Sequence, residues 1–231
     1  KGYTIQPYSP AAGSGLSTHE LNQPGCYRDV KDTTVVAQFK VVQDNHSQFL
    51  FEQTDAPVFI LAWTTTPWTL PSNTGLTVGE KIEYALIETF NQYTGKPIAV
   101  VLASDLVDTY FNPKNAEMLF EDYKPGGKNV PFKVLKKFTG KEMLGINYEQ
   151  LLNWVRPEGD AFRVIPGDFV TTEEGTGIVH TAPTFGADDY RVSAANNISA
   201  VTVRDKTGLS QPLVDKQGRF YRIDDLDPQF V

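Results

Sequence analysis

Two stretches of the chain carry the residue types from which an acyl-binding or hydrolytic site can be built. The first is Val58-Phe59-Ile60-Leu61-Ala62-Trp63-Thr64-Thr65-Thr66-Pro67-Trp68-Thr69-Leu70-Pro71-Ser72-Asn73, an apolar run that ends abruptly in three hydroxyls. Hydroxyls gathered beside the free N–H groups of a turn can hold a carbonyl or an oxyanion. The second is Gly175-Thr176-Gly177-Ile178-Val179-His180-Thr181-Ala182-Pro183-Thr184-Phe185-Gly186-Ala187-Asp188-Asp189-Tyr190. It joins an imidazole, His180, to a carboxylate, Asp189, by one short loop. Together the stretches offer an acyl-oxygen cradle, a pocket-lining ring and an anion for an amine. They offer no convincing nucleophile: Cys26 has no evident activating partner, and no serine occupies an elbow motif. Each stretch also has a purely structural reading, as a β-branched strand end before a capped helix, a hydrogen-bonded histidine, and an acid stabilising a helix start.

The elements that must position these groups are mostly short strands. Six apolar residues from Val58, with β-branched and aromatic members, suit a strand buried on both faces. Thr66 before Pro67 fits a helix N-cap followed by Pro at the first helical position. Strand patterns also run over 33–42, 75–78, 82–89, 97–102, 162–165, 178–182 and 200–203. The segments at 82–89 and 97–102 flank a polar turn, as in a hairpin. Residues 103–111 place Leu106, Val107, Tyr110 and Phe111 on one helical face with Ser104 as a cap. Asp188 and Asp189 open a second helix through Asn196 or Asn197. Lys1 to Glu20 is rich in turn formers and reads as irregular or edge structure. The expected fold class is β-dominated α+β, a curled or closed β-barrel core with short peripheral helices.

Composition narrows the function. At 231 residues, 40% hydrophobic and 21% charged, the chain can bury a sizeable core. A net charge of −7 argues against blanketing a phosphate backbone, although a nucleic-acid end can still enter a local pocket. The basic patch Lys136-Lys137-Phe138-Thr139-Gly140-Lys141 reads as a solvated face or as an approach to phosphate, and Gly140-Lys141 lacks the rest of a P-loop. One cysteine and three histidines, none at ligand spacing, point to no metal and no cofactor, and fit a reducing cytoplasm. No apolar run is long enough to cross a membrane. The first residue is Lys1, which fits a piece of something longer.

Taken together, the two motifs closely resemble the editing domain inserted in isoleucyl-tRNA synthetases. Pro7-Tyr8-Ser9-Pro10 and Tyr27-Arg28-Asp29-Val30 resemble the segment that joins this insertion to the catalytic domain. The resemblance divides the chain into a lead-in, 1–30, and an editing domain with its return connection, 31–231. Phe90 to Tyr148 is its least diagnostic part. The Thr-Pro-Trp-Thr-Leu-Pro-Ser-Asn run resembles the isoleucyl version; valyl and leucyl counterparts carry Arg-Pro after the threonines. Neither the His-Ile-Gly-His nor the Lys-Met-Ser-Lys-Ser signature of adenylate formation occurs here.

What the resemblance implies is hydrolysis of mischarged Val-tRNA(Ile), with valyl adenylate as a further substrate. Its partners would be the tRNA 3′ end carrying valine and the catalytic and anticodon-binding domains of the parent synthetase. By the same resemblance His180 forms the wall that excludes isoleucine, and Asp189 holds the α-ammonium. Thr64, Thr65 and Thr66 position the ester carbonyl, the terminal ribose and a water, while Trp68 and Asn73 shape or support the site. Phe185 departs from many relatives, which carry histidine there, and offers a ring to stack on the terminal adenosine. Catalysis would rest on orientation and oxyanion stabilisation, without a metal or covalent intermediate. The alternatives are a noncatalytic tRNA-docking module and the editing domain of a valyl or leucyl synthetase.

Overall fold

An interior strand of the larger sheet owes its place to the apolar run at Val58, which leaves only Phe59 and Trp63 partly exposed. The computed structural model describes residues 6–29, 31, 33–215 and 217–231; Lys1 to Ile5 and Val30 of the expected lead-in lie outside the described residues. The chain divides into two units, Lys1–Thr33 and Thr34–Val231. In the first, β1 (Tyr8–Ser9) and β2 (Ser14–Gly15) form a hairpin. A one-turn helix α1 (Thr18–Leu21) follows, closed by a Ser17/Glu20 capping box.

The second unit runs β3 (Val35–Lys40), α2 (Gln48–Phe51), β4 (Val58–Thr64), a 3₁₀ turn (Pro67–Ser72), β5 (Gly75–Val78), β6 (Glu83–Phe90) and β7 (Pro97–Ala103). It continues through α3 (Val107–Tyr110), β8 (Lys133–Thr139), α4 (Gly140–Met143), β9 (Arg163–Pro166), β10 (Ile178–Thr181), α5 (Ala187–Ala195), β11 (Val203–Arg204) and β12 (Ser210–Gln211). One sheet has the order β3-β4-β7-β6-β8 and another β10-β5-β9. The expected hairpin is present, with Tyr84 opposite Ala103 and Phe90 opposite Pro97. Ile60, Leu86, Ile87, Val101 and Leu102 are fully buried in its core, each contributing roughly 1.5–3 kcal/mol by leaving water.

Residues 145–149 join the two sheets. Towards β3, the Val42 N–H donates to Asn147 O (2.9 Å) and the Glu149 N–H to Lys40 O (2.8 Å). Towards β9, Tyr148 and Val164 N–H groups reach Phe162 O and Ile146 O, both at 2.9 Å. The ladders therefore curl from β8 round to β10, but among the described residues none joins those two ends into a closed barrel. The Gly-Thr-Gly turn leads into β10. Gly175 and Gly177 have φ of 74° and 70°, left-handed values that end strand pairing; the turn meets the end of β7 through one Ala103 N–H to Thr176 O bond.

Local differences from the expected elements have simple causes. Thr66 makes no side-chain cap, and the turn after it is 3₁₀ rather than α. Ser104 likewise supplies no cap, and 103–111 splits into a 3₁₀ turn, Ser104–Leu106, and α3. Of the strand expected at 200–203 only Val203 is in a strand, the two-residue β11 with Arg204. On β8, Lys137 pairs with Glu83 at 2.8 Å and Lys136 lies 5.1 Å from the Phe49 ring centre, so the basic patch is a paired, solvated face.

Candidate active site

The threonine turn and the His180–Asp189 segment meet around one cavity of about 410 Å³. Its walls include Thr64, Thr65, Thr66, Trp68, Thr69, His180, Phe185 and Asp189. Thus seven of the eight residues singled out in the sequence share one space, and Thr69 joins them. The eighth, Asn73, is 2% exposed and does not line the cavity. Its Nδ2 donates to Gly75 O at 2.8 Å, and its Oδ1 accepts from the Tyr148 hydroxyl at 2.7 Å. Asn73 therefore locks the exit of the 3₁₀ turn onto β5.

Secondary structure explains the threonine wall. Thr64 ends β4, where residues two apart share a face, and the Thr66 N–H donates to Thr64 Oγ1 at 3.0 Å. In a 3₁₀ turn residues three apart eclipse one another, which sets Thr69 over Thr66. The Thr69 hydroxyl donates to Thr66 O at 2.8 Å, and the Thr66 hydroxyl lies 3.3 Å from that of Thr64. The line ends at His180, whose Nε2 is 2.9 Å from Thr69 Oγ1. Sequence reasoning quoted Thr69 within the motif but gave it no role; the Thr66–Thr69 spacing carries the signal only once the turn is known to be 3₁₀.

The facing wall is fixed from β10 and α5. His180 sits opposite Leu76 in the β10–β5 ladder and is buried. Burial pushes its pKa below the ordinary 6.5, while the nearby Asp189 pulls the other way. Asp189 lies in the first turn of α5, yet its Oδ1 accepts from the Ala182 N–H at 2.8 Å. The carboxylate thereby ties the helix start to the end of β10. A Cβ on Gly186 would fall 2.3 Å from Asp189 Oδ2, so glycine there leaves the carboxylate its seat. Trp68 and Phe185 meet edge to face, ring centres 5.5 Å apart, at the half-open rim.

The floor is the Gly-Thr-Gly turn, held by two tyrosines. Tyr110 donates to Gly175 O at 2.9 Å and Tyr84 to Gly177 O at 2.8 Å. Burial raises both phenol pKa values, that of Tyr84 to about 12, so each remains a donor. Glu174 and Asp189 are the ionisable acids of the lining, which contains no Lys or Arg. Such a cavity favours a cationic group over a phosphate. Among the described residues no cluster of three or more His, Cys, Asp or Glu is placed to hold a metal ion, and no helix is long and apolar enough to cross a membrane.

No protein-family model matches the chain. Its sequence is 60% identical, over all 231 residues, to isoleucine–tRNA ligase of Bacteroides fragilis and 59% identical over its full length to that of Porphyromonas gingivalis. The ligase of Thermoplasma volcanium is 40% identical over 90% of the chain. The chain spans about a fifth of the length of these relatives: 20% of the first two and 17% of the third. Among solved structures, the P. knowlesi cytosolic leucyl-tRNA synthetase editing domain gives a TM-score of 0.49 at 16% identity, over 68% of this chain and 60% of that one. The P. falciparum counterpart gives 0.49 at 14%, over 71% and 67%. On its full-length sequence identity, the chain belongs to the isoleucine–tRNA ligase family, of which it is the segment carrying the editing-domain motifs.

Proposed function

We propose that the cavity hydrolyses the ester of Val-tRNA(Ile), the mischarged product of its parent ligase. The observation that carries this reading is the convergence of the threonine turn, His180 and Asp189 on one small, anionic cavity. Valine and isoleucine differ by one methylene, which a single binding site separates by only about 10- to 200-fold; isoleucyl-tRNA synthetase is itself the standing example of that limit. A second pocket too small for isoleucine removes the error after it is made.

Each wall then has a task. Asp189, anchored through Oδ1, holds the α-ammonium by a charge-assisted hydrogen bond. The buried ring of His180 blocks the space that isoleucine's extra carbon would need. Thr64, Thr65 and Thr66 orient the ester carbonyl, the ribose and the attacking water, with Phe185 stacking on the terminal adenosine and Trp68 shaping the rim beside it. Water adds to the carbonyl carbon, the ribose oxygen leaves with a proton, and valine and tRNA part. An aminoacyl ester is already activated, so positioning and oxyanion stabilisation suffice. Asn73 supports the turn from beneath, and the domain works in the cytoplasm beside the catalytic and anticodon-binding domains, with residues 1–30 as its lead-in.

The test is deacylation of Val-tRNA(Ile) and Ile-tRNA(Ile) by the 231-residue chain, alongside calorimetric titration with non-hydrolysable valyl- and isoleucyl-adenosine. Cleavage of the valyl ester, with valyl-adenosine bound in preference to isoleucyl-adenosine, is expected. Binding of tRNA without any cleavage would replace hydrolysis by a docking role. Preferential cleavage of a valyl-tRNA synthetase or leucyl-tRNA synthetase error would move the specificity elsewhere in the wider family.

A further inference from the structure

We propose that Thr69 is a positioning residue for this reaction: it fixes His180 as the Nε2–H tautomer and so sets the face that the imidazole turns to the cavity. The functional half of this proposal rests on the hydrolytic reading above; the structural half does not.

A hydroxyl has one proton to give. Thr69 Oγ1 lies 2.8 Å from Thr66 O, a carbonyl that can only accept, so the proton goes there. The 2.9 Å contact between Thr69 Oγ1 and His180 Nε2 then needs its hydrogen from the imidazole. The opposite arrangement strips Thr66 O of the hydroxyl and puts the ring proton on Nδ1. Nδ1 is buried and has no hydrogen-bond partner among the described residues. Nδ1 goes unpartnered in either tautomer, so the bond to Thr66 O decides between them. The Nε2–H tautomer is therefore favoured.

This bond makes the size filter and the acyl cradle one mechanical unit. Thr69 joins the ring to Thr66, and Thr66 joins it to Thr64 at the end of β4. Removing the Thr69 hydroxyl frees the imidazole to turn about its own axis, while Thr66 keeps the Thr69 N–H on its carbonyl and the bond from its own N–H to Thr64, and Asp189 keeps the Ala182 N–H. Discrimination should then suffer more than turnover of the valyl ester.

The first readout is nitrogen-detected NMR of the 231-residue chain, whose three histidines keep the spectrum tractable. Wild type is expected to show His180 protonated on Nε2, Thr69→Val to lose that signature, and Thr69→Ser to restore it. An Nδ1–H signal in wild type, or an unchanged tautomer in a folded Thr69→Val chain, would overturn the proposal. The second readout is the ratio of valyl to isoleucyl ester hydrolysis. It should fall about 10-fold in Thr69→Val, the scale of one methylene, and recover in Thr69→Ser. An unchanged ratio would overturn the functional half. A wild-type chain that cleaves neither ester would overturn the hydrolytic reading instead, while the spectrum still decides the Thr69–His180 bond.

Discussion

Asp188 and Asp189 are neighbours in one turn of α5, yet they line different cavities. Asp188 faces a space of about 800 Å³, with Glu80, Lys81, Asp168 and Arg191 along its sides. Asp189 faces the 410 Å³ space of the threonine turn, and Phe169 lies in the walls of both. In the larger cavity the charged groups are exposed, and Asp188 pairs with Arg191. In the smaller one Asp189 is committed to the scaffold on one side, through the Ala182 N–H, and open to the cavity on the other. Volume does not mark the site. Polar groups whose orientation has already been fixed do, because little reorganisation remains when a charge arrives.

The sharpest test of that contrast is to remove each carboxylate in turn. Asp189→Ala loses a charge-assisted contact worth about 1.5–3 kcal/mol, so valyl ester hydrolysis should fall by about 10- to 150-fold in kcat/KM. Asp188→Ala loses an exposed ion pair worth about 0–1 kcal/mol and should leave hydrolysis within a few-fold of wild type. Equal losses would show that the helix start, rather than one carboxylate, is what matters. A smaller effect on rate but a larger one on choice is expected from His180→Ala, which opens the wall. Isoleucyl ester should become a substrate, the valyl preference falling by about 10- to 100-fold, on the scale of a methylene's worth of space. Loss of both activities without broadened choice would recast His180 as a catalytic group.

The two walls differ in how far the sequence revealed them. The strand at Val58, the hairpin of β6 and β7, and α5 were legible because hydrophobic period and turn residues are local signals. The convergence of Thr64–Thr66 with His180 and Asp189 followed from motif resemblance; local pattern alone left the structural readings open. What stayed hidden was long-range or depended on one backbone detail. The Asn73–Tyr148 and Tyr84–Gly177 bonds join residues 75 and 93 positions apart. Thr69 was hidden because a 3₁₀ turn and an α-helix put its side chain on different faces. The curl from one sheet to the other depends on residues 145–149, which announce no strand pairing.

Gly186→Ala asks whether the seat of Asp189, and not only its presence, is required. Gly186 has φ −143° and ψ 146°, extended values that alanine adopts freely. The obstacle is the Asp189 side chain, with Oδ2 2.3 Å and Cγ 3.2 Å from the added Cβ. The variant should fold, with no backbone strain, but hold its carboxylate off the Ala182 N–H and give up the stability of that one bond. A rise in KM for the valyl ester of about 10-fold is expected, near the worth of one hydrogen bond to a charged group. An unchanged KM would mean that the carboxylate tolerates displacement, weakening the argument from pre-set orientation.

The smallest effect should appear in stability against pH. Burial lowers the pKa of His180 below 6.5 in the folded chain despite the opposing pull of Asp189. Between that lowered value and 6.5 the unfolded chain binds more protons at this position, so stability rises with pH across the window. Its contribution is complete above 6.5 and is lost as pH falls through the folded value. Denaturant titrations of wild type and His180→Ala at several pH values would isolate the term, the variant lacking this part of the slope. Thr69→Val should reduce the slope only if the hydroxyl sets the cost of charging the ring. Because a Thr69 oxygen that accepts from Nε2 serves the neutral and charged rings alike, that slope should survive the change, while a bond donated to Nε2 would have opposed protonation and its loss would flatten the curve.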